Sequence, residues 1–304
     1  MTAARDNWND TIVCYFTNWS QYRANAKFFP EDIDPTLCTH LIFSFAKIVE
    51  MNDTWGIGST EWNDLDTDWS DGMYTRFNEL KVSNPELKVG NIGQFIKIPI
   101  GIKIGIIPSY HTIRMNIYFK TLISIGGANH NSTDWSRMVS ENSSIESFVN
   151  NSLQFIRENG FDGIDLNWMY PDECSNQQSC SPDTNVARYR VLLEQFRQTI
   201  DAQNDDSGDE LLISATVGPL RVGKSYQPEH MTNNLDFVNL MSYDMHGSWE
   251  SQTGHHALAH EISSDGSTNI KWILDEWIRL GADPSKLHLG DFNICRIFFQ
   301  ANLF

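Results

Sequence analysis

Basic residues are few in this chain. Twenty-two Lys and Arg stand against 39 Asp and Glu, a formal net charge of −17. That balance excludes a nucleic-acid or anionic-membrane partner, because both need basic patches. Long apolar runs are also lacking, and none approaches the ~18 residues of a membrane-spanning helix. The opening stretch, Met1 to Asp6, holds no apolar core, so no secretory signal peptide is read there. Five Cys are too few for a disulfide scaffold but permit two bridges and one leftover thiol. No Gly-x-Ser-x-Gly or catalytic-Cys pattern is found. Gly56-Ile-Gly58 follows no clear strand and opens no helix, so it is not a phosphate loop. His255, His256, His260 and Glu261 are metal-ligand types at a spacing that fits no established site, so neither a metal nor a cofactor is expected.

Aromatic residues are plentiful instead. Ten Trp are present, and indole rings stack well on flat apolar faces such as those of sugars, although most serve packing. Asp64–Asp71 is an acidic, Trp-bearing loop read as a solvated surface. Six Asn-x-Ser/Thr sequons, at Asn9, Asn18, Asn52, Asn131, Asn142 and Asn150, favour the secretory pathway. The protein is therefore read as extracellular, with a leader absent from this chain.

Short β-branched and aromatic runs recur at Ile12–Phe16, Leu41–Ala46, Thr121–Ile125, Gly163–Trp168, Leu211–Val217, Phe237–Tyr243 and Leu287–Gly290. Helical patterns at Ile145–Asn159, Thr184–Asn204 and Asn269–Leu280 separate some of them. Continuous apolar strands alternating with helices read as a buried parallel sheet, and seven of them favour a barrel over an open doubly wound sheet. In such barrels the chemistry gathers at the C-terminal strand ends.

Two segments depart from this pattern. Val89–Lys120 carries ten Ile in 32 residues, four basic residues and no acidic one. Its alternation is broken by Pro99, Gly101, Gly105 and Pro108. Asp291–Phe304 ends in apolar residues without a cap or turn. Both read as translated noncoding sequence: a retained intron, and read-through after Gly290. Sequencing of full-length transcripts checks this, and finding both segments in mature message overturns it.

The run Phe161-Asp-Gly-Ile-Asp-Leu-Asn-Trp-Met-Tyr-Pro171 resembles the signature of glycoside hydrolase family 18, the chitinases and chitinase-like lectins, which reads Asp-Gly-x-Asp-x-Asp-Trp-Glu-Tyr-Pro. Val13–Arg23, Cys38–Ala46 and Leu122–Gly127 resemble its first three barrel strands, and Leu235–Trp249 its sixth. The resemblance implies a TIM-type (β/α)8 barrel over 10–290, interrupted by 89–120 and followed by a non-family tail, 291–304. By the same comparison the eighth strand and a small α+β insertion domain are missing at the C-terminus. It also implies bridges Cys14–Cys38 and Cys174–Cys180, and leaves Cys295 without a role.

Glycosidic hydrolysis needs an acid to protonate the departing oxygen. The family's Glu position is Met169 here, and the neighbouring Asp position is Asn167. The degenerate acidic series is thus Asp162, Asp165, Asn167 and Met169. Asp162 and Asp165 are expected to be buried and hydrogen-bonded inside the barrel. Tyr15, Trp19, Phe45, Asn129, Tyr170, Met241, Tyr243, Asp244 and Trp249 fall on positions that line the family's sugar groove, with Phe45 and Met241 equally consistent with inner-barrel packing. The third strand, which in the family ends Gly-Gly-Trp, ends Gly127-Ala128-Asn129 here, so a stacking platform is gone. The chain is accordingly expected to bind chitin or other N-acetylglucosamine-containing glycans without hydrolysing them. Two alternatives stay open: a glycosidase with residual or altered activity drawing on Asp165 or Asp244, and a non-functional product of a mis-spliced gene.

Overall fold

The computed structural model describes residues 11–81, 119–174, 181–203, 210–251, 253–260, 269–291 and 297–300. Most of the Ile-rich segment, together with Asn9, Cys180, Glu261 and Cys295, lies outside them. Among the described residues one sheet holds nine strands. Seven are parallel: β1 (Ile12–Thr17), β2 (His40–Met51), β4 (Lys120–Gly126), β5 (Gly163–Asn167), β6 (Leu212–Val217), β7 (Phe237–Leu240) and β8 (Leu287–Asp291). They follow one another in space in chain order, as a (β/α) barrel requires. β3 (Thr54–Ser59) pairs antiparallel with the outer half of β2. Gly56 and Gly58, which looked like loop residues, lie inside this hairpin strand.

No parallel eighth strand follows β8 among the described residues. β9 (Ile297–Gln300) instead runs antiparallel between β8 and β1, with Leu289 opposite Phe299 and Val13 opposite Phe298. The chain's own tail therefore spans the interval that seven parallel strands leave.

The period-two geometry of strands divides each one between two environments. Cys14, Phe16, Leu41, Phe43, Ile123, Ile164 and Leu166 belong to the large outer core beneath the helices. Val13, Ile42, Leu122 and Phe237 belong to a small apolar cluster inside the barrel. The helices supply the other side of the outer core. In α3 (Asn142–Glu158), Ile145, Phe148, Val149, Leu153 and Ile156 are buried at three- and four-residue spacing. α4 (Pro182–Gln203) buries Tyr189, Leu192, Leu193, Phe196 and Ile200. These join α1 (Met73–Asn78), α2 (Ser132–Met138), α5 (Pro228–Asn234) and α6 (Ile270–Arg279). α6 is capped by the Asn269 side chain, which accepts from the Trp272 amide at 2.9 Å.

The Cys14–Cys38 disulfide joins β1 to the turn before β2, with Cα atoms 6.0 Å apart. Cys174 is also disulfide-bonded. The sequon side chains differ in access: Asn52, Asn131, Asn142 and Asn150 are exposed, whereas Asn18 is buried and its amide donates to Thr60 Oγ1 at 2.7 Å. A glycan on Asn18 would have to displace that bond.

Candidate functional site

The C-terminal ends of the parallel strands gather most of the candidate residues. Along β5 and just past it, Asp165, Asn167 and Met169 face inward while Leu166 and Trp168 face the helices. Trp168 stacks on Trp135 with ring centroids 5.2 Å apart and an 8° interplanar angle. Its indole N–H donates to Ser132 Oγ at 2.8 Å. That anchorage fixes the strand end from which Met169 and Tyr170 project.

Asp165 is fully buried. Ser124 Oγ donates to it at 2.7 Å, Ser214 Oγ at 2.8 Å, and Thr216 Oγ1 at 3.0 and 3.1 Å. Burial pushes its carboxyl above the ordinary value, while these hydroxyl donors pull the other way. The polar chain continues inward. Thr216 bonds the Tyr15 phenol, Asn239 Nδ2 donates to that phenol at 2.7 Å, and Asn239 Oδ1 lies 3.1 Å from His288 Nδ1. Asn167 is also buried, and among the described residues its Oδ1 has no hydrogen-bond partner.

Met169 packs against the inner cluster that holds Met241 and Tyr243, both buried, beside Tyr15. Trp19, on the 3₁₀ turn after β1, stacks on Phe45 with centroids 5.8 Å apart and 24° between planes. The Phe45 ring lies so close to Gly127 that a Cβ there would approach it to 2.6 Å. Tyr170 is covered by Arg221, whose guanidinium carbon stands 4.6 Å from the ring centroid. Arg221 is held in turn by Asp172, at 2.9 Å, and by Glu173. Asp244 is 59% exposed, with His256 Nδ1 4.0 Å away. Asn129 is exposed on the turn after β4, and Trp249, 68% exposed, lies over Gly247 on the loop after β7.

Two placements differ from the sequence reading. Asp162 is not inside the barrel. It precedes β5, at the opposite end of the strand from Met169, where its Oδ2 accepts from the Thr121 amide at 2.7 Å and pairs with Lys81 at 3.1 Å. Asp64 is not a solvated loop carboxylate but fully buried, because Asn18 and two backbone amides enclose it. Arg221 was not anticipated, and its only sequence signal is a position four residues past the end of β6. The hydroxyls of Ser124, Ser214 and Thr216 were legible in principle as polar residues on the inward phase of otherwise apolar strands.

A barrel with its aromatic residues at one end, a single inward carboxylate on β5 and a disulfide at the base of β1 matches a known sequence profile. Residues 11–93 and 101–294 fit the profile described as glycosyl hydrolases family 18. The chain belongs to that family. It is 32% identical over 300 residues to mouse chitotriosidase-1, covering 95% of this chain and 54% of that protein. It is 33% identical to human chitinase-3-like protein 2 over 290 residues, covering 92% of this chain and 61% of the relative. The chain thus spans little more than half the length of these relatives. Among solved family 18 structures, the Group IV chitinase of Ostrinia furnacalis superposes with a TM-score of 0.71 at 28% identity, over 92% of this chain and 66% of the other. Human YKL-39, described as a pseudo-chitinase with retained chitooligosaccharide binding, superposes with a TM-score of 0.67 at 31% identity, over 90% and 64%.

Proposed function

We propose that this family 18 protein binds chitooligosaccharides and does not cleave them. The observation that carries the reading is Met169 at the signature's Glu position, packed against the apolar inner cluster. A thioether has no proton to give, and removal of a general acid lowers a rate by about 10²–10⁴-fold. Asn167, at the neighbouring Asp position, carries no charge to stabilise a developing cation. The remaining nearby carboxylates do not replace the pair. Asp165 is sealed from solvent and bonded by three hydroxyl side chains, and Asp244 stands on an exposed loop.

Binding draws on what the strand ends retain. The stacked Trp19–Phe45 pair, Tyr170 and Trp249 offer apolar faces to pyranose rings, whereas Tyr243 is buried in the inner cluster. The unpartnered Asn167 Oδ1 is an acceptor suited to an acetamide N–H. The chitooligosaccharide binding described for YKL-39 supports the same ligand class. The exposed sequons and the Cys14–Cys38 bridge suit an extracellular location.

The test pairs calorimetric titration of chitotetraose and chitopentaose with a hydrolysis assay, on the unmodified chain and on a Met169→Glu, Asn167→Asp double variant. Binding without turnover in the unmodified protein, and cleavage gained in the variant, is the expected result. Turnover by the unmodified chain overturns the non-catalytic reading, and absence of binding overturns the ligand.

A further inference from the structure

Asp64 sits where three chain segments meet behind the Trp19–Phe45 pair. Its carboxylate accepts from the Glu61 amide at 2.8 Å, from the Thr60 amide at 3.2 Å, and from Asn18 Nδ2 at 3.2 and 3.3 Å. Two of those partners, Thr60 and Asn18, lead to the aromatic pair. Thr60 Oγ1 donates to the Phe45 carbonyl at 2.6 Å. Asn18 Nδ2 also bonds Thr60 Oγ1 at 2.7 Å, and Asn18 immediately precedes Trp19. Gln21 and Asn63 tie the same turn to the same loop, Asn63 Nδ2 donating to Gln21 Oε1 at 2.9 Å. The loop is fixed to α1 by the Tyr74 amide, which bonds the Asp64 carbonyl at 3.0 Å. Gly72 closes against that carbonyl so tightly that a Cβ would lie 2.6 Å from it.

We propose that Asp64 is a positioning residue for the Trp19–Phe45 platform, fixing the two rings in register through Asn18 on one side and Thr60 on the other. The proposal rests on the reading of that pair as a sugar-stacking surface. A carboxylate suits the place because it is acceptor-only and all its donors point inward. Protonation would put a donor among donors and break one of those bonds. Burial raises the Asp64 carboxyl to about 6, so the network is complete above that pH and loosens below it. The titratable groups around it are Glu61, Tyr22, whose phenol donates to Glu61 at 2.8 Å, and the buried Tyr74. Among the described residues Asp64 makes no ion pair.

The experiment labels the Trp residues of the full chain with 5-fluorotryptophan and assigns Trp19 by its loss in Trp19→Phe. The Trp19 resonance is expected to titrate with a midpoint near 6 and to lose that titration in Asp64→Asn. Chitopentaose affinity is expected to fall about tenfold in Asp64→Asn, the scale of one lost hydrogen bond to a charged group. Thr60 is exposed, so Thr60→Val serves where Asp64→Asn does not fold. It is expected to weaken binding comparably, while Thr60→Ser restores it. A Trp19 signal that ignores both pH and Asp64→Asn overturns the positioning role whether or not sugar binds. A titrating Trp19 signal in a protein that binds no chitooligosaccharide upholds the positioning and sinks the sugar reading instead.

Discussion

Gly126 ends β4 at a φ of +106°, a conformation that side chains with a Cβ rarely adopt, and a Cβ placed there would lie 2.2 Å from the carbonyl oxygen of Asn167. Gly127 follows at φ +85°, and its amide donates to that same carbonyl at 2.9 Å. The chain therefore turns off β4 in contact with the backbone from which Met169 and Tyr170 project, and only glycine allows so close an approach. Replacement of Gly126 by Ala combines backbone strain with a clash against main chain that has no flexible end to move. It is expected to lower stability by at least about 1–3 kcal/mol and to weaken ligand binding with it. Denaturant unfolding measures the first effect and titration the second. An unchanged unfolding midpoint would show that the turn relaxes and that the glycine is dispensable.

At the scale of elements, one device recurs where a strand joins its neighbour. Asp162 donates its amide to the Thr121 carbonyl at 2.7 Å and accepts the Thr121 amide on its side chain, also at 2.7 Å. Asp236 does the same with Ile213, at 2.8 Å in both directions. Thr39 answers Ile12 with its hydroxyl at 2.9 Å. Each short polar side chain thereby satisfies an amide within the first two residues of the preceding parallel strand. Asp236 also holds the guanidinium of Arg197 at 2.8 Å. Asp236→Ala would leave the buried Ile213 amide unanswered and Arg197 with only the Asn234 carbonyl at 3.0 Å and Asp201 at 3.4 Å, and is expected to destabilise the fold by about 2–3 kcal/mol in chemical denaturation. A loss no larger than that of an exposed Asp would mean water replaces the carboxylate. The parallel strands themselves were legible because both of their faces are covered, which leaves continuous apolar runs such as Leu122–Ile125. β3 was not, because Thr54-Trp-Gly-Ile-Gly-Ser59 carries two glycines and draws its stability from outside itself. Asn151 of α3 donates to the Trp55 carbonyl at 2.7 Å. At the site, the Met169 and Asn167 departures could be read directly from the strand. The burial of Asp64 could not, since it arises only when the 18–22 turn and the 60–64 loop fold onto one another.

For the molecule as a whole, buried histidines and buried carboxylates make stability depend on pH in two opposing senses. His288 and His40 flank the Phe237 ring, with centroid distances of 5.0 and 5.3 Å. Burial holds His288 down at about 3 and His40 at about 4. Both therefore stay neutral in the fold while the unfolded chain takes up protons near 6.5. In that window the unfolded state binds more protons, so their contribution is fully present above about 6.5 and is lost as pH falls toward 4. Asp64 acts the other way. Its folded value of about 6 lies above the ordinary 3.8, so the folded state binds the extra proton and stability declines as pH rises between those values. Asp165, also raised by burial, has the same sign as Asp64. Because the terms oppose, the pH profile of the unmodified chain does not separate them, whereas a difference between two proteins does. His288→Gln keeps an amide donor for Asn239 and removes one proton from the linkage. Its unfolding free energy is expected to change with pH less steeply toward acid than that of the unmodified chain, by about 1.4 kcal/mol per unit between roughly pH 4 and 6. Denaturant unfolding at half-unit pH steps gives both curves. Parallel curves would mean that His288 carries its proton inside the barrel, with Asn239 as acceptor, and contributes nothing to the acid limb of the profile.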